Sequence, residues 1–145
     1  MALPRRPGPP PRVNQAMPHT QLDQTAPREL QEALFARAAA LPGVATGPSR
    51  VSVPGARAFV LPHARGPSMV AGEFAHLHPP RDGSLHVLLP PSLAREAIEA
   101  GWAEPHPIAS MGGPPNLVMV YGPRDAGELE IVWSLLVAAH AFALG

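Results

Sequence analysis

Cysteine is absent from the 145-residue chain, and so is lysine: all eleven basic residues are arginine. Without cysteine there are no disulfides, no thiolate metal sites and no thiol nucleophile. The missing lysine, beside many Ala, Pro and Gly residues, reads as the codon bias of a GC-rich genome. Excess charge of either sign is also missing. Eleven acidic residues balance the eleven basic ones, so no basic field exists to hold nucleic acid by its phosphates. Long apolar runs are scarce. The N-terminal segment has no stretch of signal-peptide length, and the most apolar run, "IVWSLLVAAHAFALG", is fifteen residues, too short to span a bilayer. These absences predict a soluble, cytoplasmic protein with neither nucleic acid nor membrane as partner.

What is abundant is proline, with seven in the first twenty-seven residues. That segment offers too little apolar surface to offset its ordering entropy, which predicts a disordered tail over 1–26 and a single domain over 27–145. Within the domain, Leu30, Leu34, Ala38 and Leu41 form one stripe of a helix stopped by Pro42-Gly43. "RVSV", "ARAFVL", "SMVAGEFAHLH" and "SLHVLLP" read as four strands, "PSLAREAIEAG" as a short helix and "WAEPHPIASMGGPP" as a loop. "NLVMVYG" reads as a fifth strand. A last helix opens at Asp125 with Glu128 in a capping-box spacing and has Leu129, Val132, Leu136, Ala139 and Ala143 on its buried side. Adjacent strands followed by helices predict an α+β domain, with a mainly antiparallel sheet of about five strands and helices packed on one face.

Three of the seven histidines fall in "GEFAHLHPPRDGSLHVLLP". With 79–83 as a hairpin loop, His78 lies opposite Ser84 and His76 opposite His86. Alternation then places Phe74, His76, His78, Ser84, His86 and Leu88 on one face. Ala75, Leu77, Leu85, Val87 and Leu89 take the other, with Glu73 at its end. A one-residue slip would bury histidine and expose leucine, so the pattern selects this register. His76 and His86 then touch, since opposed Cβ atoms lie roughly 4.5–5.5 Å apart.

Such a patch has three readings. Neutral imidazoles can take a proton as general bases near neutral pH. His76, His78 and His86 can hold a divalent transition metal, if one is present. They can also be solvated residues on an open sheet face. His106, fixed between Pro105 and Pro107, is a fourth candidate. Trp102, Tyr121 and Arg124 are candidates for binding substrate, Arg124 through a carboxylate or enolate oxygen. His140 reads as structural; His19 and His63 carry no signal.

The pieces "EFAHLH", "LHVLL", "GWAEPHP" and "GGPPNLVMVYGPR", with the closing apolar helix, resemble in order and spacing the luciferase-domain family of luminous fungi over about residues 72–145. "ALPGV" and "GPSR" resemble its shorter bacterial relatives, which extends the resemblance to about residue 29. The resemblance implies oxidation of a hydroxypyrone-type enol by O₂. The fungal substrate is 3-hydroxyhispidin, and a peroxide-type intermediate loses CO₂ to give caffeoylpyruvate and light. No organic cofactor is implied. His76, His78, His86 and His106 are then the implied catalytic residues. The fungal proteins are longer and begin with an apolar anchoring segment not found here, so light emission is not the expected native role. The expectation is an oxygenase-like oxidoreductase acting on a small enol with O₂. The alternatives are a module that binds a small ligand without turnover, and a histidine-ligated metal protein.

Overall fold

The hairpin expected around 79–83 is present in the computed structural model, which describes residues 2–145. The chain begins with two short strands, β1 (Val13–Asn14) and β2 (Thr20–Gln21), followed by helix α1 (Arg28–Ala39). Strands β3 (Ala45–Pro48), β4 (Arg57–Val60), β5 (Glu73–Leu77) and β6 (Leu85–Leu88) come next, then helix α2 (Pro91–Glu99). Strand β7 (Ala103–Pro105), a 3₁₀ turn (Pro107–Met111), strand β8 (Leu117–Val120) and helix α3 (Ala126–Leu144) complete the chain. β1 pairs with β2 alone; the other six form one antiparallel sheet in the order β3-β4-β5-β6-β8-β7. The fold is α+β, as expected, with a sixth strand in the main sheet.

The extra strand is β7, from the segment read as loop. Pro105 is tolerated because β7 is an edge strand with only β8 beside it. At the opposite edge, the strand expected at "RVSV" lies earlier, at Ala45–Pro48. "ATGP" has little intrinsic β preference; pairing with β4, from Ala45 opposite Val60 to Pro48 opposite Arg57, holds it extended.

α1 and α3 pack over one face of the sheet, with Leu34, Phe59, Phe74, Leu85, Val87, Leu135 and Leu136 in one buried cluster. Each such side chain contributes about 1.5–3 kcal/mol relative to exposure. α3 opens as expected, the Asp125 carboxylate accepting the Glu128 N–H at 2.8 Å. The Glu128 carboxylate does not close the capping box; it turns to the Arg124 N–H at 2.9 Å and its guanidinium at 2.6 Å. α3 is long and apolar enough, by length and composition, to cross a membrane. Here it is a core helix, burying Leu129, Val132, Leu135, Leu136, Ala139 and Ala143.

Residues 2–26, expected to be disordered, run across the domain as an arm. Polar clasps, rather than a large apolar surface, hold it in place. Trp102 Nε1–H donates to the Pro4 carbonyl at 2.6 Å, the Arg6 N–H to the Ala100 carbonyl at 2.8 Å, and Arg124 Nη2 to the Pro7 carbonyl at 2.9 Å. Gln21 bridges Gly122 and Asp82. Proline itself lowers the ordering cost, because its φ is already fixed in the unfolded chain.

Candidate functional site

The register is the one the sequence selects: His76 pairs with His86 and Leu77 with Leu85, and the His78 N–H donates to the Ser84 carbonyl at 2.9 Å. Gly83 makes the loop, at φ +72, where a Cβ would lie 2.6 Å from Gln31 Nε2. Gln31 in turn donates to the Pro80 carbonyl, tying the loop to α1.

Alternation fails at one point. Phe59 pairs with Ala75 but Val60 with Glu73, so Phe74 is the extra residue of a β-bulge. The bulge turns Phe74 into the helix-covered core, against Phe59 and His140, and Glu73 onto the histidine face. This reverses the expected sides of both residues. His140 is structural, its Nε2–H donating to the Pro42 carbonyl at 2.8 Å.

The histidine patch is not solvated. His76 and His78 are 2 % exposed and His86 5 %, roofed by the arm, which adds a histidine of its own. His19 Nδ1 lies 3.0 Å from His86 Nε2, and His19 Nε2 lies 2.8 Å from Glu104 Oε2. His106, from the turn after β7, stands beside both His19 and His86. All five rings line one cavity of about 700 Å³ whose other walls include Met17, Val53, Met69, Ile108 and Leu117. That is the size and mixed character of a small-molecule site.

The acids behind the rings fix where the hydrogens sit. Glu73 Oε2 is 2.8 Å from His76 Nδ1, and a carboxylate only accepts, so His76 carries its hydrogen on Nδ1. Ser84 Oγ donates to Asp82 and lies 2.9 Å from His78 Nδ1, so His78 also carries its hydrogen there. Glu104 fixes the His19 hydrogen on Nε2. His19 Nδ1 is then an acceptor, and His86 must donate to it from Nε2. With one hydrogen on each ring, the remaining nitrogens, His76 Nε2, His78 Nε2 and His86 Nδ1, are left bare, with His86 Nδ1 3.1 Å from the first and 3.0 Å from the second.

Burial, then the neighbouring imidazoles, holds His86 well below the ordinary histidine range. Burial also lowers His76, against the hydrogen bond it donates to the Glu73 carboxylate, which raises it. His106 is brought to about 4 by burial and by His19. Burial pushes the Glu73 and Asp82 carboxyls up, but hydrogen bonds from His76, Ser49 and the Arg50 N–H on Glu73, and from His78 and Ser84 on Asp82, hold both below the usual range. Burial thus favours the neutral ring at His76, His86 and His106, and hydrogen bonds favour the ionised acid at Glu73 and Asp82. Such a set can accept a proton or bind a cation.

The structure brings together four of the sequence candidates: His76, His78, His86 and His106. It does not bring Trp102, Tyr121 or Arg124 to the cavity. They clasp the arm: Trp102 on Pro4, Arg124 on Pro7, and Tyr121 beneath the Arg6 guanidinium with its hydroxyl on Glu104. Those roles follow from the arm being ordered, which leaves these side chains no open rim to face. Sequence reasoning missed His19, Glu73, Asp82 and Glu104. Only "HLHPPRD", which puts Asp82 four residues after His78, held a signal.

A family model described as the luciferase domain matches residues 71–139, the segment that carries β5, β6, β8 and four of the five cavity histidines. Over that segment, just under half of the chain, the sequence matches the luciferase-domain family. A luciferase of Armillaria gallica is 36 % identical over 73 residues, covering 48 % of this chain and 27 % of that protein. Luciferases of Armillaria mellea and Neonothopanus nambi are each 34 % identical over the same length and share. The luciferase domain here thus matches about a quarter of each of these relatives. No solved structure matches the chain.

Proposed function

We propose that this luciferase-domain protein oxidises a small enol, of the hydroxypyrone type, with O₂. The observation that carries the reading is the cavity itself: bare, neutral ring nitrogens set in an otherwise apolar chamber of small-molecule size. An enol hydroxyl placed against those nitrogens gives up its proton more readily than in water. Burial favours the neutral ring at His76 and His86, and the transfer needs no rearrangement of the acids behind them. The resulting enolate is electron-rich. Its carbon bonds to O₂, so the substrate is oxidised and the oxygen reduced to the peroxide level; collapse of the peroxide releases CO₂. One O₂ is consumed and one CO₂ formed per turnover, with the proton returned to the product. The apolar walls keep water from quenching the anion. The fungal relatives bear the name luciferase, which supports an oxidative reading without extending to light from this chain.

The test is O₂ uptake and CO₂ release by the purified protein with a panel of hydroxypyrones and related enols. Turnover by the parent, and its loss by at least about a hundredfold in His86→Ala with the fold retained, is the expected outcome. If the parent protein binds members of the panel but consumes no O₂ with any of them, the enzyme reading fails and a ligand-binding module replaces it.

A further inference from the structure

We infer that His76, His78 and His86 form a divalent transition-metal site, with Glu73 and the Asp82–Ser84 pair orienting two of its ligands. The inference is argued from these residues alone and stands whether or not an enol is oxidised.

The first observation is the convergence of lone pairs. Hydrogen bonds to Glu73, Ser84 and, through His19, Glu104 direct every ring hydrogen outward. His76 Nε2, His78 Nε2 and His86 Nδ1 are left facing one another. Separations of 3.0–3.1 Å between bare nitrogens are repulsive unless a cation lies among them. They are close to the edge of a tetrahedron of imidazole ligands around an ion, for metal–nitrogen bonds of about 2.0–2.1 Å. Glu73 on His76 and the Asp82–Ser84 pair on His78 are the outer partners that fix tautomer and ring orientation in metal-bound histidines.

The second observation is charge. Glu73 is 1 % exposed and Asp82 4 %, and among the described residues their only ion-pair partners are His76 and His78. Neither buried acid has an arginine within ion-pair distance, and burying acids without a cationic partner is costly. A divalent ion behind His76 and His78 supplies that partner. Three protein ligands leave a coordination position open, as in catalytic rather than structural sites. Since all three rings line the cavity, that position is within reach of a bound molecule. An oxygen of an enolate is the ligand chemistry it takes.

A second set, His19, His86 and His106, also brings three ring nitrogens close together. It is the weaker candidate. His106 accepts the Ile108 N–H on Nδ1 at 3.0 Å, and His19 Nδ1 is occupied by the His86 hydrogen.

The experiment uses tag-free, full-length protein stripped with chelator and titrated with Co²⁺, read by its visible ligand-field bands, and with Zn²⁺, read by calorimetry and thermal melting. One Co²⁺ per chain is expected, with the intense bands of a four- or five-coordinate site, and Zn²⁺ should raise the melting temperature. His78→Asn should abolish the bands. Glu73→Gln should weaken binding about 10- to 100-fold while leaving the ligands in place. His106→Asn should leave affinity nearly unchanged. If His78→Asn does not fold by circular dichroism, His76→Asn and Glu73→Gln carry the comparison. Failure of the parent protein to bind stoichiometric Co²⁺ overturns the site. So does binding that is lost with His106→Asn and kept with His78→Asn, which assigns the ion to the second set.

Discussion

The two faces of the central hairpin come from alternate residues of the same strands, yet they are buried by different means. Leu85 and Val87 point into the cluster beneath the helices; His86, between them, points under the proline-rich arm. On the first face burial needs no partners, because apolar area removed from water stabilises in any orientation. On the second, each buried N–H needs an acceptor, and a gap in the network costs more than a bond gains. The first face is tolerant and supplies the stability of the fold. The second is exacting, and its geometry is specified atom by atom from Glu73 through the rings to Glu104 and Tyr121. A sheet can thus keep one side for folding and line a polar-walled cavity with the other without adding strands.

Paired substitutions across that divide break the comparison most sharply. Leu85→Ala removes a fully buried side chain and should cost roughly 2–5 kcal/mol through lost burial and a cavity. Whatever folds should keep its histidine network and its activity per folded molecule. His86→Ala should cost less, about 1–3 kcal/mol, the penalty for buried groups left without partners, and should remove the activity. Urea melts of both variants, with activity normalised to folded fraction, make the check. Equal stability losses and equal activity losses would mean that the faces are not functionally separate.

How far the sequence could be read follows the same divide. The hairpin register was legible because a one-residue slip would have exchanged leucine for histidine on both faces. Glu73 and Phe74 were assigned to the wrong faces because a bulge carries no hydrophobic signature. It depends on Gly72 at φ +88, where a Cβ would sit 2.3 Å from the Leu61 carbonyl oxygen, a tertiary constraint that a single sequence does not display. His19 was invisible for another reason. Its partners lie 67 and 85 residues away, and nothing local distinguishes a clasped proline-rich arm from a free one. With the arm taken as disordered, the sheet face it covers read as open and Trp102, Tyr121 and Arg124 read as a substrate rim.

The arm gives the next test. His19→Ala deletes the bonds to His86 and Glu104 and leaves the His86 Nε2–H without its acceptor, a cost of about 1–3 kcal/mol. The same change removes one anchor of the roof, so trypsin should cut after Arg12 faster than in the parent protein. A chain starting at Pro27 should melt below the full-length protein, having lost His19, the Gln21 bridge and the clasps on Trp102 and Arg124. Unchanged melting and unchanged cleavage would show that the arm covers the histidine face without stabilising it.

The smallest effect expected is in the pH dependence of stability, and it separates the faces without altering either core. On the aliphatic face the hairpin strands themselves offer nothing to titrate, His140 there being supplied by α3. On the histidine face, His106 sits at about 4 against an ordinary value of 6.5, and His86 and His76 are shifted the same way, each chiefly by burial. A histidine whose pKa is lower in the folded state binds its proton more readily when unfolded, so stability rises with pH between the two values. For chelator-treated protein the contribution is complete above about pH 6.5 and is lost progressively as pH falls toward 4. Melting temperature should therefore be flat from pH 8 to 7 and fall over the next units of acidification. His106→Asn keeps an acceptor for the Ile108 N–H, since asparagine is a favoured N-cap, and removes the titrating ring. Its melting temperature should fall less steeply over that window than the parent's. Should the two curves run parallel, His106 is not held neutral by its surroundings, and the picture of a buried, uncharged cluster loses its outermost member.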